Sequence, residues 1–202
     1  MTTNSSKPIL AVFDFDGTLT YRDSFTLFLR EELGIVRYLT GLLGLAVPAA
    51  CFAVGIISRD ELKEKLIRRF LTLLSVAQVK QLADSFCERN WEKLMRPNGI
   101  AEVTEQLRQG SKVTLCSASP ELILKPFADR LGIELIATRL EERNGVLTGK
   151  IDGQNCRQSE KVLRLKHEIG ELDKYYVKAW GDSAGDKQLL EFANEPYYRK
   201  FH

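Results

Sequence analysis

Apolar and polar positions alternate along this chain in two rhythms. Continuous apolar runs of strand type occupy Ile9–Phe13 (ILAVF), Ser111–Ser117 (SKVTLCS), Ile133–Thr138 (IELIAT) and Tyr175–Trp180 (YYVKAW), as expected of strands covered on both faces. Helical patterns lie between them. In NGIAEVTEQLRQG the apolar residues Ile100, Val103 and Leu107 recur at helical spacing and Gly110 stands at the stop position. In SPELILKPFADRLG, Ser119 reads as the N-cap, Pro120 as the first helical residue and Gly132 as the stop. Strands alternating with helices at this spacing predict an α/β fold with a Rossmann-like, mostly parallel sheet.

Two regions break the alternation. Asn144-Gly145, between the short strand-like pieces of TRLEERNGVLTGKIDG, is a two-residue hairpin signal. The stretch from Ser24 to Met95 reads as entirely helical, with capping boxes at Ser58-x-x-Glu61 and Ser75-x-x-Gln78. An insertion of roughly 70 residues therefore follows the first strand, longer than an ordinary connection. The expected division is a core of residues 1–20 and 96–202, with residues 21–95 as a helical domain.

Within that insertion, Tyr38–Ile57 (YLTGLLGLAVPAACFAVGII) contains no charged residue. Twenty such residues could just span a bilayer. A true span would place the two halves of one α/β domain on opposite sides of the membrane. The expectation is instead a helical hairpin broken near Pro48, either buried or substrate-facing, with peripheral contact to a membrane surface left open.

Composition narrows the functional classes. A net charge of +2, with no basic run interleaved with aromatics, argues against a nucleic-acid partner. Cys51, Cys87, Cys116 and Cys156 form no CxxC pair and are joined by only two histidines, so a Cys/His zinc site is not expected. Free thiols and the lack of a secretory pattern near the N-terminus point to the cytoplasm, with membrane association left open by Tyr38–Ile57.

The chemistry sits at the strand ends, where ligands bind in an open parallel sheet. Asp14 and Asp16 close the first strand, Ser117 closes the second, and Asp182 follows a third in WGDSAGD, with Lys161 opening the helix EKVLRLKHEIG. Asp14, Asp16 and Asp182 gathered at one edge would repel unless a hard cation lay among them, and oxygen-only ligands suit Mg²⁺. Mg²⁺ and Lys161 together would neutralise a phosphate dianion. The Ser117 hydroxyl and nearby backbone N–H groups, that of Ala118 included, would donate to it. One carboxylate could then attack phosphorus while the other serves as acid and base. Residues two apart on an extended chain point the same way, which would set both carboxylates on one target. Gly17 lets the backbone turn sharply behind them.

In this order, DFDGT, LCSAS, EKVLRL and GDSAGD resemble the motifs of the haloacid dehalogenase superfamily, and the helical insertion resembles its phosphoserine-phosphatase-like branch. The resemblance spans nearly the whole chain after Lys7. It implies the fold of that superfamily with a helical cap, and phosphomonoester hydrolysis through an aspartyl-phosphate. It further implies Asp14 as nucleophile, Asp16 as general acid/base, and Ser117 and Lys161 on the phosphate. Asp182 would be on Mg²⁺, with Asp186 supporting the metal and the Asp16 backbone carbonyl as a further ligand. Family members often carry a glycine shortly before the lysine, where this chain has Gln158 and Ser159. Asp23 stands where phosphoserine phosphatases meet the substrate ammonium, although it equally suits a helix cap, and Arg69 or Arg68 would take the substrate carboxylate. The expected substrate is a small phosphate monoester such as phosphoserine, or a phospholipid head-group phosphate. The rivals are a phosphotransferase using the same intermediate and a non-catalytic, membrane-peripheral binding protein.

Overall fold

A computed structural model describes residues 7–202; the first six residues of the expected core lie outside the described residues. The chain enters on β1 (Ile9–Phe13), makes one wide turn over Phe15–Leu19, and runs through α1 (Ser24–Glu32), α2 (Ile35–Leu43), α3 (Ala46–Ala53), α4 (Arg59–Leu71) and α5 (Val76–Leu94). It continues through α6 (Pro97–Arg108), β2 (Lys112–Pro120), α7 (Glu121–Leu131), β3 (Glu134–Thr138), β4 (Leu140–Arg143) and β5 (Val146–Ile151). It closes with α8 (Ser159–Ile169), β6 (Tyr176–Gly181), α9 (Lys187–Phe192) and β7 (Glu195–Tyr198).

The main sheet has the order β3-β2-β1-β6-β7, and every pairing in it is parallel. β1 is central because both its faces are apolar. Ala11 and Phe13 belong to one core and Leu10 and Val12 to the other, the alternation a pleated strand imposes. Phe13 stacks on Trp180 with ring centroids 4.1 Å apart, and Trp180 stacks on Tyr197 at 4.7 Å. β7 carries no strand pattern in the sequence. Pro196 sits in it without cost because the strand is an edge.

The chain leaves and re-enters the sheet layer at a single crossing. Thr20 and Met95 form an antiparallel bridge, flanked by Tyr21 N–H donating to the Leu94 carbonyl at 2.9 Å and Arg96 N–H to the Leu19 carbonyl at 2.8 Å. Both expected capping boxes are formed and open α4 and α5. The helical segment then packs back on the sheet layer, with Phe86 and Trp91 of α5 against Phe127 of α7. The β4–β5 hairpin turns at Asn144-Gly145 and reaches the end of α4, where Leu73 N–H donates to the Leu147 carbonyl and Leu147 N–H returns to that of Leu74. Gly149 makes this approach possible: its φ is +81°, and a Cβ there would overlap the Thr72 hydroxyl and lie 2.9 Å from the Arg68 Cα. Gly149→Ala should cost about 2 kcal/mol, since neither the backbone nor the contact can yield freely. Thermal unfolding should show a midpoint roughly 4–8 °C lower.

Two local expectations are corrected. Ser119 does not cap α7; β2 runs on through Pro120, which occupies the cap position without a side-chain bond, because the Ser119 hydroxyl is taken by a distant carboxylate described below. The break in the uncharged stretch falls at Gly44-Leu45 rather than at Pro48. Pro48 lies in the first turn of α3, where its missing N–H leaves no bond unmade. Nor is the stretch buried: Leu43, Val47, Val54 and Ile56 are 71–76% exposed.

Candidate active site

The carboxyl ends of β1, β2 and β6 open into a cavity of about 700 Å³. Asp14 leaves β1 with its N–H bound to the Trp180 carbonyl at 2.9 Å, so the β1–β6 ladder itself fixes its position. Asp182 follows β6, and Asp186 opens α9. Carboxylate oxygens of Asp14, Asp182 and Asp186 all lie within 4.8 Å of one another. Lys161, one turn into α8 and 1% exposed, donates to Asp14 Oδ1 and to Asp186 Oδ1, both at 2.6 Å. The second lysine of the EKVLRLKHEIG segment, Lys166, sits toward the other end of α8 over the Phe192 ring.

Gly17 is required here. Its φ is +82°, and a Cβ would lie 2.8 Å from the Asp182 Cγ, inside the carboxylate group. Gln158, where the family often carries glycine, adopts the same left-handed sign (φ 55°), and its N–H donates to the Gly185 carbonyl at 2.7 Å. The turn before α8 is therefore kept at some backbone strain, tolerated because it aims Lys161 inward.

Asp16 does not point with Asp14. The strand ends at Phe13, and Phe15 turns the backbone, so the two-residue alternation no longer holds. Its carboxylate accepts from the Ser24 N–H at 2.6 Å and from the Ser119 hydroxyl at 2.5 Å. It is not among the three clustered carboxylates. Ser117, 1% exposed, accepts from the Ser119 N–H at 3.1 Å, which leaves its own hydrogen to donate. The Ala118 carbonyl accepts from the Thr138 hydroxyl at 2.5 Å and from the Lys63 ammonium.

Lys63 has no counterpart in the sequence expectations, and Ser119 figures there only as a helix cap, not in the site. Lys63 reaches from α4 into the site, donates to Asn155 Oδ1 at 2.6 Å, and has its pKa pushed down to about 8 by burial. Arg59, Leu62, Lys63 and Leu66 line the cavity as one face of α4, spaced i, i+3, i+4, i+7. Arg69 is off that face, exposed, with its guanidinium beside Gly44. Asp23 lines the cavity and also caps α1, accepting from the Thr26 N–H at 2.7 Å.

Around the three clustered carboxylates positive charge is locally short, although arginines line the wider cavity. Burial pushes Asp14 up to about 8 even though Lys161 opposes the shift, and burial with the neighbouring Asp186 raises Asp182. Asp186 is also penalised by burial, but Lys161 and the Ser183 donors outweigh it and hold the carboxylate ionised. One ammonium thus serves three carboxylates. A second cation would relieve the deficit, and an all-carboxylate donor set fits the hard ion Mg²⁺.

Asp16 is pushed up to about 6, first by burial and then by Asp23, while the Ser119 hydroxyl pulls it down. Ser119→Ala should therefore move any pH–rate limb that Asp16 controls toward higher pH. A profile of kcat against pH checks this, and an unmoved limb would separate Ser119 from the acid.

The haloacid dehalogenase-like hydrolase family model matches residues 11–191. Protein CicA of Caulobacter vibrioides is 41% identical over 197 residues, covering 96% of this chain and 87% of its own. The phosphoserine phosphatase of Streptococcus thermophilus is 29% identical over 188 residues, 91% of this chain and 80% of its own. A solved protein of unknown function from Bordetella pertussis superposes with a TM-score of 0.80 at 23% identity, covering 95% of this chain and 89% of that one, a likeness of fold. With the strand-end aspartates, the lysine and the sheet order in place, this chain is an enzyme of the haloacid dehalogenase-like hydrolase family.

Proposed function

We propose that this chain is a Mg²⁺-dependent phosphomonoesterase acting through an aspartyl-phosphate on Asp14. The observation that carries the reading is the buried Lys161 ammonium shared by Asp14 and Asp186, with Asp182 beside them at the mouth of one cavity. Mg²⁺ would be held by Asp14, Asp182 and the Asp16 backbone carbonyl, with Asp186 in support. When bound it supplies charge that stabilises the transferring phosphoryl oxygens.

The protein's own groups account for the rest. Lys161, the Ser117 hydroxyl and the Ala118 N–H bind and orient the phosphate. Asp14 attacks phosphorus, and the ester P–O bond breaks as the leaving oxygen takes a proton from the Asp16 carboxyl. Water then attacks the aspartyl-phosphate, giving its proton to the Asp16 carboxylate, and the bond between phosphorus and Asp14 breaks. An Asp16 pKa of about 6 suits a group that must both give and take a proton.

Residues 21–95 act as the cap over this site, crossing from the core at the Thr20–Met95 bridge. Within it Asp23 and Arg59, rather than Arg69, face the substrate, because they line the cavity. The S. thermophilus relative favours a small phosphate monoester such as phosphoserine; a lipid head-group phosphate presents the same reacting group.

Phosphate release with excess Mg²⁺, its loss on chelation and its return on adding Mg²⁺ test the cofactor. Borohydride reduction of turning-over enzyme tests the intermediate: an acyl phosphate becomes homoserine, read by mass spectrometry at residue 14. Phosphate release with no homoserine at that position would overturn the covalent route.

A further inference from the structure

Between Tyr38 and Ile57 no residue carries charge, and the fold does not hide the stretch. α2 and α3 meet at a 58° bend, and none of the residues of α3 is buried. A helix that is apolar on every side normally lies inside a protein or inside a lipid phase. A peptide-binding or subunit contact covers one stripe of a helix, whereas a convex hairpin that is apolar all round fits a continuous apolar medium. No single helix among the described residues is long and apolar enough to cross a membrane. α2 and α3 together have the length and composition of a broken span, but the bend between them and their seat against α4 lay the pair along the cap, the placement of an element in an interface.

Charge beside the hairpin points the same way. The hairpin rests on α4, with Gly41 against the Phe70 ring and Gly44 beside Arg69. Exposed on α4 are Arg59, Lys65, Arg68 and Arg69. Most acids of this region are engaged: Asp23 and Glu61 cap helices, Glu32 pairs with Arg89, and Asp60 accepts from Asn155; Glu64 is exposed on α4 among the cations. An apolar surface edged by a helix with five basic and three acidic residues complements anionic lipid headgroups. Phe52 of α3, 41% exposed, is also part of the cavity wall that holds Asp14, Ser117 and Lys161. The hairpin and the phosphate site are thus continuous.

We propose that the α2–α3 hairpin seats this enzyme on an anionic bilayer and delivers to its cavity phosphate monoesters carried on lipid. The docking surface stands on the exposed hairpin and its basic edge; the lipid substrate class rests in addition on the phosphatase reading.

Co-sedimentation with vesicles of equal parts phosphatidylglycerol and phosphatidylcholine, and with phosphatidylcholine alone, tests it. The wild type should pellet with the anionic vesicles and at least ten-fold less with the neutral ones. Leu43→Glu with Val47→Glu, both at open positions, should cut anionic binding at least ten-fold while p-nitrophenyl phosphate turnover stays unchanged. Arg68→Glu with Arg69→Glu should weaken anionic binding without touching the apolar face. Wild type left in the supernatant, or a Leu43/Val47 variant that still pellets, overturns the proposal. So does a wild-type dimer that the same variant splits in light scattering, since a second copy then covers the face. Vesicle binding without turnover of any ester would remove the phosphatase reading and leave the docking surface standing; turnover without vesicle binding does the reverse.

Discussion

Asp14→Asn protein should release phosphate from no monoester, with a loss of at least about 10⁴-fold against wild type under saturating Mg²⁺. The amide keeps the size and the ladder bond to Trp180 but cannot form an acyl phosphate, and removing a covalent nucleophile costs on this scale. The same variant should fold well. Lys161 retains Asp186 at 2.6 Å, and the substitution removes a carboxylate that burial holds at about 8 against an ordinary 3.8. A folded-state pKa raised this way supplies stability below the unfolded value that is lost as pH rises through the folded one. Metal-free wild type should therefore lose stability between about pH 4 and pH 8, and the variant should show a shallower slope, keeping only what the raised Asp16 and Asp182 contribute. Thermal melts in chelator across this window, paired with phosphate assays, read both effects. Residual turnover within ten-fold of wild type would remove Asp14 as nucleophile, whatever the melts show.

Most of this site was legible because its residues announce themselves locally. A strand that ends in carboxylates is unusual wherever it lies in the fold, so Asp14, Asp16 and Asp182 stood out before any contact was known. Asp186 came only with the family resemblance, and it is Asp186, not Asp16, that the topology brought within 4.8 Å of Asp14 and Asp182. Lys161 could be placed from its segment alone. Residues missed or misassigned are those whose partners are remote. Ser119 precedes a proline and a helix, which is the local pattern of a cap, yet its acceptor is Asp16, 103 positions away. Lys63 lies in a helix crowded with charge (RDELKEKLIRR), where nothing distinguishes a lysine that faces solvent from one that crosses to Ala118 and Asn155.

Helical phase explains the misplaced arginine. At about 100° per residue, Lys63 and Leu66 stay within roughly 60° of Arg59, while Arg68 falls half a turn away and Arg69 about 80° to the side. The sequence shows that phase, but not which phase faces the cavity; only packing against β5 and Phe70 against Gly41 sets it. The uncharged hairpin has the same ambiguity. Lack of charge says that a segment avoids isolation in water, and the described protein leaves this one open. Whatever covers it lies outside the chain's own core, so intrachain patterns alone could not have identified it.

Lys161→Met should be the most damaging single change for the fold, and should lower activity as well. The ammonium is 1% exposed and is the group on which Asp14 and Asp186 both rest. Removing one partner from a buried charge cluster typically costs about 3–5 kcal/mol, because the remaining charges must be protonated or hydrated in place. Methionine fills the volume, so the loss reads charge and not a cavity. Denaturant unfolding in chelator should show that loss, and Mg²⁺ should raise the melting temperature of the variant more than that of wild type, since the cation replaces missing positive charge. Activity should stay down by about 10²–10³-fold with Mg²⁺ present, as expected when one donor to a transferring phosphoryl group is lost. Lys161→Arg separates the two roles: it keeps the charge, so part of the stability should return, but a planar guanidinium cannot take the place of a compact ammonium between two carboxylates. If Lys161→Met matched wild type in stability and responded to Mg²⁺ no more strongly, the buried cluster would not depend on this lysine, and the charge-deficit argument for a metal at Asp14, Asp182 and Asp186 would fall with it.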